Sequence, residues 1–208
     1  SFGDGTTSTD KNPQHQYIDN GTYLVTLTVT DNHGARHERT KPINISNVPP
    51  TVSFTSHPLH PTTSTTIQFN DTSSDVDGTI TSWSWDFGDG RISRRQNTSH
   101  QYADDGRYTV TLTVTDDDGA VETKATSISV SNVPPSANFT SQPSHPDTSD
   151  TIQFTDTSTD SDGTIISWLW IFGDGGTSTQ QHASHTYSEN KVYTILLIVT
   201  DDDQATNA

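Results

Sequence analysis

Cysteine is absent from this 208-residue sequence, and so is methionine. Without cysteine there is no disulfide framework, no thiolate metal site and no thiol nucleophile. Positive charge is scarce: 10 Lys and Arg stand against 26 Asp and Glu, for a net charge of −16. A field of that sign repels phosphate backbones and anionic lipid, which excludes nucleic acid as a partner and leaves cations as the natural counterpart. Apolar residues make up only 27% of the chain, and no run of them approaches the roughly 20 residues that a bilayer span needs. Few apolar residues combined with high net charge is the composition of disorder. The four Trp, six Tyr and seven Phe argue the other way, because they recur at regular positions beside alternating β-branched residues, as in small concentrated cores. Small cores bury a modest share of their surface and lean on a metal, a neighbour or a partner. The first residue is not Met, and the sequence reads as an interior piece of an exported precursor whose leader or anchor lies outside it.

What the chain does have is a repeat. "FGDG" stands at 2–5, 87–90 and 172–175, "NVPP" at 47–50 and 132–135, and "YLVTLTVTD" (23–31) returns as "YTVTLTVTD" (108–116) and "YTILLIVTD" (193–201). Each recurs after 85 residues, so one supersecondary unit is being repeated. "VTLTVT" alternates with period 2, which is a half-buried antiparallel strand, and no helical period competes with it. The complete copy, 49–133, reads as strands near 51–56, 65–70, 79–87, 107–115 and 121–131. Residues 1–48 hold the C-terminal part of a copy, and 134–208 hold a copy that stops where its last strand should begin. Short strands separated by Gly, Asp, Asn and Pro signals predict an all-β chain of sandwiches.

These motifs resemble PKD (polycystic kidney disease) domains, immunoglobulin-like β-sandwiches of extracellular proteins. The matching stretches are "SSDVDGTITSWSWDFGDG" (73–90), "SHQYADDGRYTVTLTVTDDDG" (99–119) and the strand that follows to about 131, with parallels in the other two copies. The resemblance implies a non-catalytic module. It is used in tandem in cell-surface and surface-layer proteins, archaeal ones included, and as an accessory domain of secreted proteases and chitinases. One position departs from the pattern: Asp86 of "WDFGDG" is replaced by Ile171 in the third copy, so no function of that acid is common to all copies.

Several residue groups invite chemistry. Asp4, Asp89 and Asp174 lie between glycines, where a turn needs positive φ and an Asx side chain folds back on its own backbone. No partner acid or base is evident at fixed spacing from them, so they read as turn residues. Trp83, Trp85 and Phe87 share one strand face and read as core, the alternative being an exposed aromatic strip for carbohydrate. His15, His100 and His185, each two residues before a Tyr, read as hydrogen-bonded corners.

The acidic loops are stronger candidates. "SDVDG" (74–78) and "TDSDG" (159–163) resemble the start of a calcium loop but lack the other ligands of an EF-hand. In a sandwich the missing ligands come from elsewhere at the same pole: Asn47 with Asp75, Asp77, Asp116, Asp117 and Asp118 for the second copy, and Asn132 with Asp160, Asp162, Asp201, Asp202 and Asp203 for the third. Two carboxylates about 6 Å apart repel by roughly 3 kcal/mol at an effective dielectric of 20, so such crowding invites a cation. Oxygen-only ligands in loose geometry favour Ca²⁺ over Mg²⁺ or zinc. The plain reading is a set of solvated Asp-Gly turns. Supplied partly by the linker, a bound calcium would stiffen the junctions between domains.

Two surface features complete the expectations. The outward positions Ser84, Asp86, Thr111 and Thr113 of the second copy become Leu169, Ile171, Leu196 and Ile198 in the third, a candidate interface with another domain or another chain. Sequons at Asn20, Asn44, Asn70, Asn97 and Asn138 fit an exported glycoprotein. The leading expectation is a stiff rod of sandwiches on a cell surface, in a surface layer or in a filament, associating with itself or with neighbouring domains. The alternative is an accessory module of a secreted hydrolase that orients or binds a polymeric substrate, glycan or protein.

Overall fold

A computed structural model describes residues 1–208, and it contains no helix. In the first copy, β1 (Gly21–Thr30) and β2 (Arg36–Ile45) form an antiparallel hairpin whose register runs without a break from Gly21↔Ile45 to Thr30↔Arg36. The middle copy contains β3 (Phe54–His57), β4 (Ile67–Asp71), β5 (Ile80–Asp86), β6 (Ile92–Ser93), β7 (Thr98–His100), β8 (Gly106–Asp116) and β9 (Val121–Val130). They form two sheets, β3-β4-β7 and β6-β5-β8-β9. The third copy repeats this with β10 (Phe139–Gln142), β11 (Ile152–Asp156), β12 (Ile165–Ile171), β13 (Thr177–Ser178), β14 (Ala183–His185), β15 (Leu196–Asp201) and β16 (Thr206–Asn207), in sheets β10-β11-β14 and β13-β12-β15-β16. The predicted strand at 51–56 starts later, at Phe54: Thr51 makes only an isolated bridge to Ser74, and the Ser53 N–H donates to the Ser73 hydroxyl at 3.1 Å rather than to a backbone carbonyl. The third copy does begin a last strand, but only as the two residues of β16.

Packing divides the chain into two compact units. One comprises Ser1–Ser56, Phe69–Thr98 and Thr109–Thr126, the other His57–Gln68, Ser99–Tyr108 and Ser127–Ala208. In the first, Trp85 is fully buried, meeting Phe54 edge-on at 5.1 Å and Phe69 at 5.7 Å. Its indole N–H donates to the Arg95 carbonyl at 2.9 Å, so the ring is buried without an orphaned donor. The second unit repeats this around Trp170, with Phe139 at 5.2 Å, Phe154 at 5.7 Å and the indole donating to the Gln180 carbonyl at 2.9 Å. Full burial of each aliphatic or aromatic side chain contributes about 1.5–3 kcal/mol, so these few rings account for much of each core. Trp85 and Phe87 are buried and Trp83 half-buried, so the aromatics form no exposed carbohydrate strip.

The alternation of β8 decides where the acids go. Val110, Leu112 and Val114 point inward, and the next inward position is Asp116, which is 2% exposed. Asp201 ends β15 in the same phase and is 1% exposed. A strand of period 2 thus delivers a carboxylate to the interior at the pole of each copy.

Candidate functional site

At that pole Asp116 divides its oxygens between two tasks. Oδ1 accepts from the backbone N–H groups of Asp118 at 3.1 Å and Ala120 at 2.7 Å, closing the turn after β8. Oδ2 accepts from the Asn47 side-chain amide at 2.8 Å. That amide, ahead of backbone donors, holds the Asp116 carboxyl below its usual range against the opposing effect of burial. Asp77 Oδ2 accepts from the Val48 N–H at 3.0 Å, and Asp117 Oδ1 from the Thr79 N–H at 2.7 Å. Linker residues 47 and 48 are therefore tied to two loops of the middle copy, which the Thr79–Asp117 bond joins to each other.

Three buried oxygens in this group have no partner: Asn47 Oδ1, Asp75 Oδ2 and Asp77 Oδ1. Burial first, and then the charges of Asp77 and Asp116, push the Asp75 carboxyl up. Gly78 makes the crowding possible, since a Cβ there would lie 2.5 Å from Asp117 Oδ1 and 3.1 Å from Asp75 Oδ2. Oxygen-only, acidic, partly unpartnered and cradled against a glycine, the group fits a hard cation such as Ca²⁺. Asp118 alone of the predicted set stands apart. It is exposed, and its carboxylate joins none of these hydrogen bonds.

The second unit repeats the arrangement almost atom for atom. Asn132 donates to Asp201 Oδ2 at 2.8 Å, Val133 N–H to Asp162 Oδ2 at 2.9 Å, and Thr164 N–H to Asp202 Oδ1 at 2.7 Å. Asp160 Oδ2 is buried without a partner, and burial, followed by the neighbouring Asp162 and Asp201, pushes that carboxyl up. Gly163 plays the part of Gly78, with a Cβ position 2.4 Å from Asp202 Oδ1. One contact is additional: Thr63 Oγ1 donates to Asp162 Oδ2 at 2.6 Å. Burial pushes the Asp162 carboxyl up, but the Thr63 and Val133 hydrogen bonds outweigh it and leave the group lowered. Asp203, grouped with these acids from the sequence, turns elsewhere. Its carboxylate lies with those of Asp104 and Asp105, one oxygen of each within 4.8 Å of the others. Burial, ahead of the charges of Asp105, Asp202 and Asp104, pushes it up to about 6.

The aspartates of "FGDG" are turn residues, as expected, but they also have the fixed-spacing partner that the sequence reading missed. Asp4, Asp89 and Asp174 each accept the backbone N–H two residues on, at 3.0, 3.0 and 2.9 Å. In the first and third copies the other oxygen meets a histidine 11 residues later, His15 at 2.6 Å and His185 at 2.7 Å. Each imidazole is stacked on the preceding Phe, at 4.1 Å on Phe2 and 4.2 Å on Phe172, with the following Tyr edge-on to it. Tyr17 and Tyr187 donate to the carbonyls of Phe2 and Phe172 at 2.9 and 2.8 Å. The pairs lock the corner at the start of the long strand, and in the first copy the Thr6 hydroxyl adds to it by donating to Asp4 Oδ1 at 2.7 Å. A second missed clamp joins Trp83 to Asp71 and Trp168 to Asp156, both at 2.8 Å and both 12 residues apart.

Of the remaining predicted residues, Leu169 pairs directly with Ile198 and Ile171 with Leu196 across β12 and β15. Leu169 and Leu196 are 37% and 40% exposed, and the two isoleucines are half-buried. Asn44, Asn70, Asn97 and Asn138 are exposed and Asn20 is half-buried.

The chain matches the PKD domain in three consecutive segments, residues 1–46, 47–130 and 132–208. It is similar to the pre-pro-metalloprotease PrtV of Vibrio cholerae serotype O1, 38% identical over 109 residues, covering 52% of this chain and 12% of the relative. It is also similar to collagenase ColA of Clostridium perfringens, 32% identical over 117 residues, covering 56% of this chain and 10% of the relative. Among solved structures, the PKD1 domain of the Vibrio cholerae metalloprotease PrtV is 36% identical and matches 41% of this chain and 100% of that domain, with a TM-score of 0.38. The chain thus spans about a tenth of the length of these curated relatives, and what it shares with them is non-catalytic. Three matched segments cover almost every residue, and the chain belongs to the PKD domain family.

Proposed function

We propose that this chain is an accessory stretch of an extracellular hydrolase, in which PKD domains bind or orient a polymeric substrate while catalysis lies elsewhere. The observation that carries the reading is the kinship with a metalloprotease and a collagenase over more than one repeat. Leu169, Ile171, Leu196 and Ile198 supply the substrate-facing surface, because large aliphatics on the outward face of a sheet gain by covering against a polypeptide. Exposed sequons at Asn44, Asn70, Asn97 and Asn138 are sites for glycans on such a protein.

The acidic poles hold calcium in this reading. Asn47, Asp75, Asp77, Asp116 and Asp117 bind one ion, and Asn132, Asp160, Asp162, Asp201 and Asp202 the other, each tying a linker to the domain that follows. The ion supplies charge neutralisation, and the support for it is the set of unpartnered buried oxygens at both poles. The same tie occurring twice favours a second reading, a structural array on a cell surface, in which the junctions rather than the faces carry the function.

Co-sedimentation of the 208-residue chain with fibrous collagen and with chitin tests the accessory reading. Retention on the protein fibre is expected, and it is expected to fall about tenfold in the double variant Leu169→Ser, Ile171→Asp. Absence of retention on either polymer, in calcium and in chelator, would overturn it.

A further inference from the structure

Parts of two copies pack together in the second compact unit, His57–Gln68 and Ser99–Tyr108 of the middle copy with Ser127–Ala208. Within it, the loop between β3 and β4 is closely held. Pro61 is fully buried and Thr63 is 5% exposed. The Ser131 N–H donates to the Pro61 carbonyl at 2.9 Å and the Thr63 N–H to the Ser131 carbonyl at 3.3 Å, which fixes the loop to the residue after β9. The Gln101 side-chain amide donates to the Thr63 carbonyl at 2.9 Å. Both backbone groups of Thr63 are thus engaged, and its hydroxyl donates to Asp162 Oδ2 of the third copy at 2.6 Å. That length belongs to charge-assisted O–H···O⁻ bonds, which are about twice as strong as neutral ones. Asp162 Oδ2 also accepts from the Val133 N–H at 2.9 Å, so the middle-copy loop, the linker and the acidic loop close into one hydrogen-bonded ring.

An opposing contact lies in the same unit. Asp104 and Asp105 of the middle copy face Asp203 of the third, with one carboxylate oxygen of each within 4.8 Å of the others. Charges of one sign that close together repel even at the effective dielectric of a protein surface, and this contact pushes the two loops that carry it apart. The ring through Thr63 joins the same two copies and pulls the other way.

We infer that Thr63 is the lock of this junction: its hydroxyl holds the acidic loop of the third copy against the middle copy, and it does so without a cation. Thr63 acts through Asp162 as a positioning residue. Calcium at the poles is not needed for the lock, because hydroxyl, backbone amide and carboxylate close the ring by themselves. The hydroxyl is the essential group, since the backbone bonds of residue 63 reach Ser131 and Gln101 but not the third copy's acidic loop.

The test uses the full chain, which has no cysteine of its own, so spin labels attach only where a cysteine is introduced. Gln68→Cys and Gln153→Cys place one label on β4 and one on β11, at equivalent exposed positions of consecutive copies. In EDTA, pulsed dipolar electron spin resonance is expected to give one narrow distance distribution. Thr63→Val keeps the shape and the backbone bonds but removes the donor. It is expected to raise the released population about tenfold or more and broaden the distribution, since a hydrogen bond to a charged group is worth at least about that factor. Thr63→Ser, which restores the hydroxyl, is expected to restore the narrow distribution. Where valine disturbs the fold, Asp162→Asn weakens the same bond from the other side and is expected to broaden the distribution as well. A distribution unchanged by Thr63→Val, or by Asp162→Asn in its place, overturns the inference. So does a parent chain that is broad in EDTA and narrows only when calcium is added, because the ion rather than Thr63 then closes the junction.

Discussion

Replacing Asp75 by Asn separates the two effects of its carboxylate. In a chelator the folded chain holds this group with one buried oxygen unpartnered and pushed up, by burial first and by Asp77 and Asp116 next. When a carboxyl is raised on folding, the native state binds more protons than the unfolded one. Its charge therefore opposes folding, increasingly so as pH rises through the window between the unfolded value, about 3.9, and the raised folded value. Asparagine keeps the shape and removes the charge, so the variant in EDTA at pH 7 is expected to melt above the unsubstituted chain. Calcium reverses the order. An extracellular module with a dissociation constant of about 10⁻⁴ to 10⁻³ M gains roughly 1.4–2.7 kcal/mol per site at about 10 mM calcium. In a domain of this size that is roughly 5–20 °C. If both proposed sites bind calcium, the unsubstituted chain has two and the variant one, so the calcium-induced rise is expected to be smaller in the variant. Circular dichroism melts with and without calcium read both effects. A variant that matches the parent in EDTA and keeps the full rise would refute the assignment of Asp75, and a parent whose melting ignores calcium would remove the cation from the account.

Two further outcomes follow from the corners. Tyr187→Phe removes a 2.8 Å bond to the Phe172 carbonyl at a buried site, and is expected to lower stability by about 1 kcal/mol, read as a fall in the urea midpoint with an unchanged slope. Asp4 is held at about 2, chiefly by the Thr6 hydroxyl and N–H with His15 adding to them, and Asp174 is lowered chiefly by His185. Because these folded values lie below the unfolded one, the stability they contribute is present above about pH 4 and is lost as pH falls toward 2. Acid titration followed by tyrosine fluorescence is expected to show His185→Gln unfolding at a higher pH than the parent; coincident curves would show that the pair does not hold the corner.

Much of this was legible in the sequence, and the reason is repetition. The 85-residue period and the alternation of "VTLTVTD" place the long strands, and the same alternation carried one step further puts Asp116 and Asp201 inside. The Asp–His pairs and the Trp–Asp clamps were also written in the sequence, as spacings of 11 and 12 residues that recur between copies. The Asp–His pairs were missed because an acid between two glycines already had a sufficient explanation as a turn. Other contacts had no such signal. Thr63 meets Asp162 across 99 residues, and the matching threonine for Asp77 would precede residue 1, so no second copy displays the pairing. The turn of Asp203 toward Asp104 and Asp105 likewise depends on how loops far apart in sequence come together, which strand periodicity does not encode.

Where copies diverge, the comparison between them separates what the fold requires from what it tolerates. In the middle copy Asp86 Oδ1 accepts from the Gly88 N–H at 2.9 Å, which makes the acid look necessary for the "FGDG" turn. The third copy has Ile171 there and keeps the turn. Gly173 retains a φ of 80° against 82° for Gly88, and the closing bond from Phe172 N–H to the Gly176 carbonyl is 3.0 Å against 3.1 Å from Phe87 to Arg91. What holds the turn is the glycine. A Cβ at Gly173 would lie 2.7 Å from the Thr194 carbonyl, as one at Gly88 would from that of Thr109, and positive φ excludes other residues besides. The aliphatic at 171 is therefore not demanded by the turn. Nor does the core demand it, since Trp170 and Phe172 on either side already point inward. An outward isoleucine that neither the turn nor the core needs, paired across the ladder with Leu196 and flanked by Leu169 and Ile198, supports the substrate-facing surface proposed for this face.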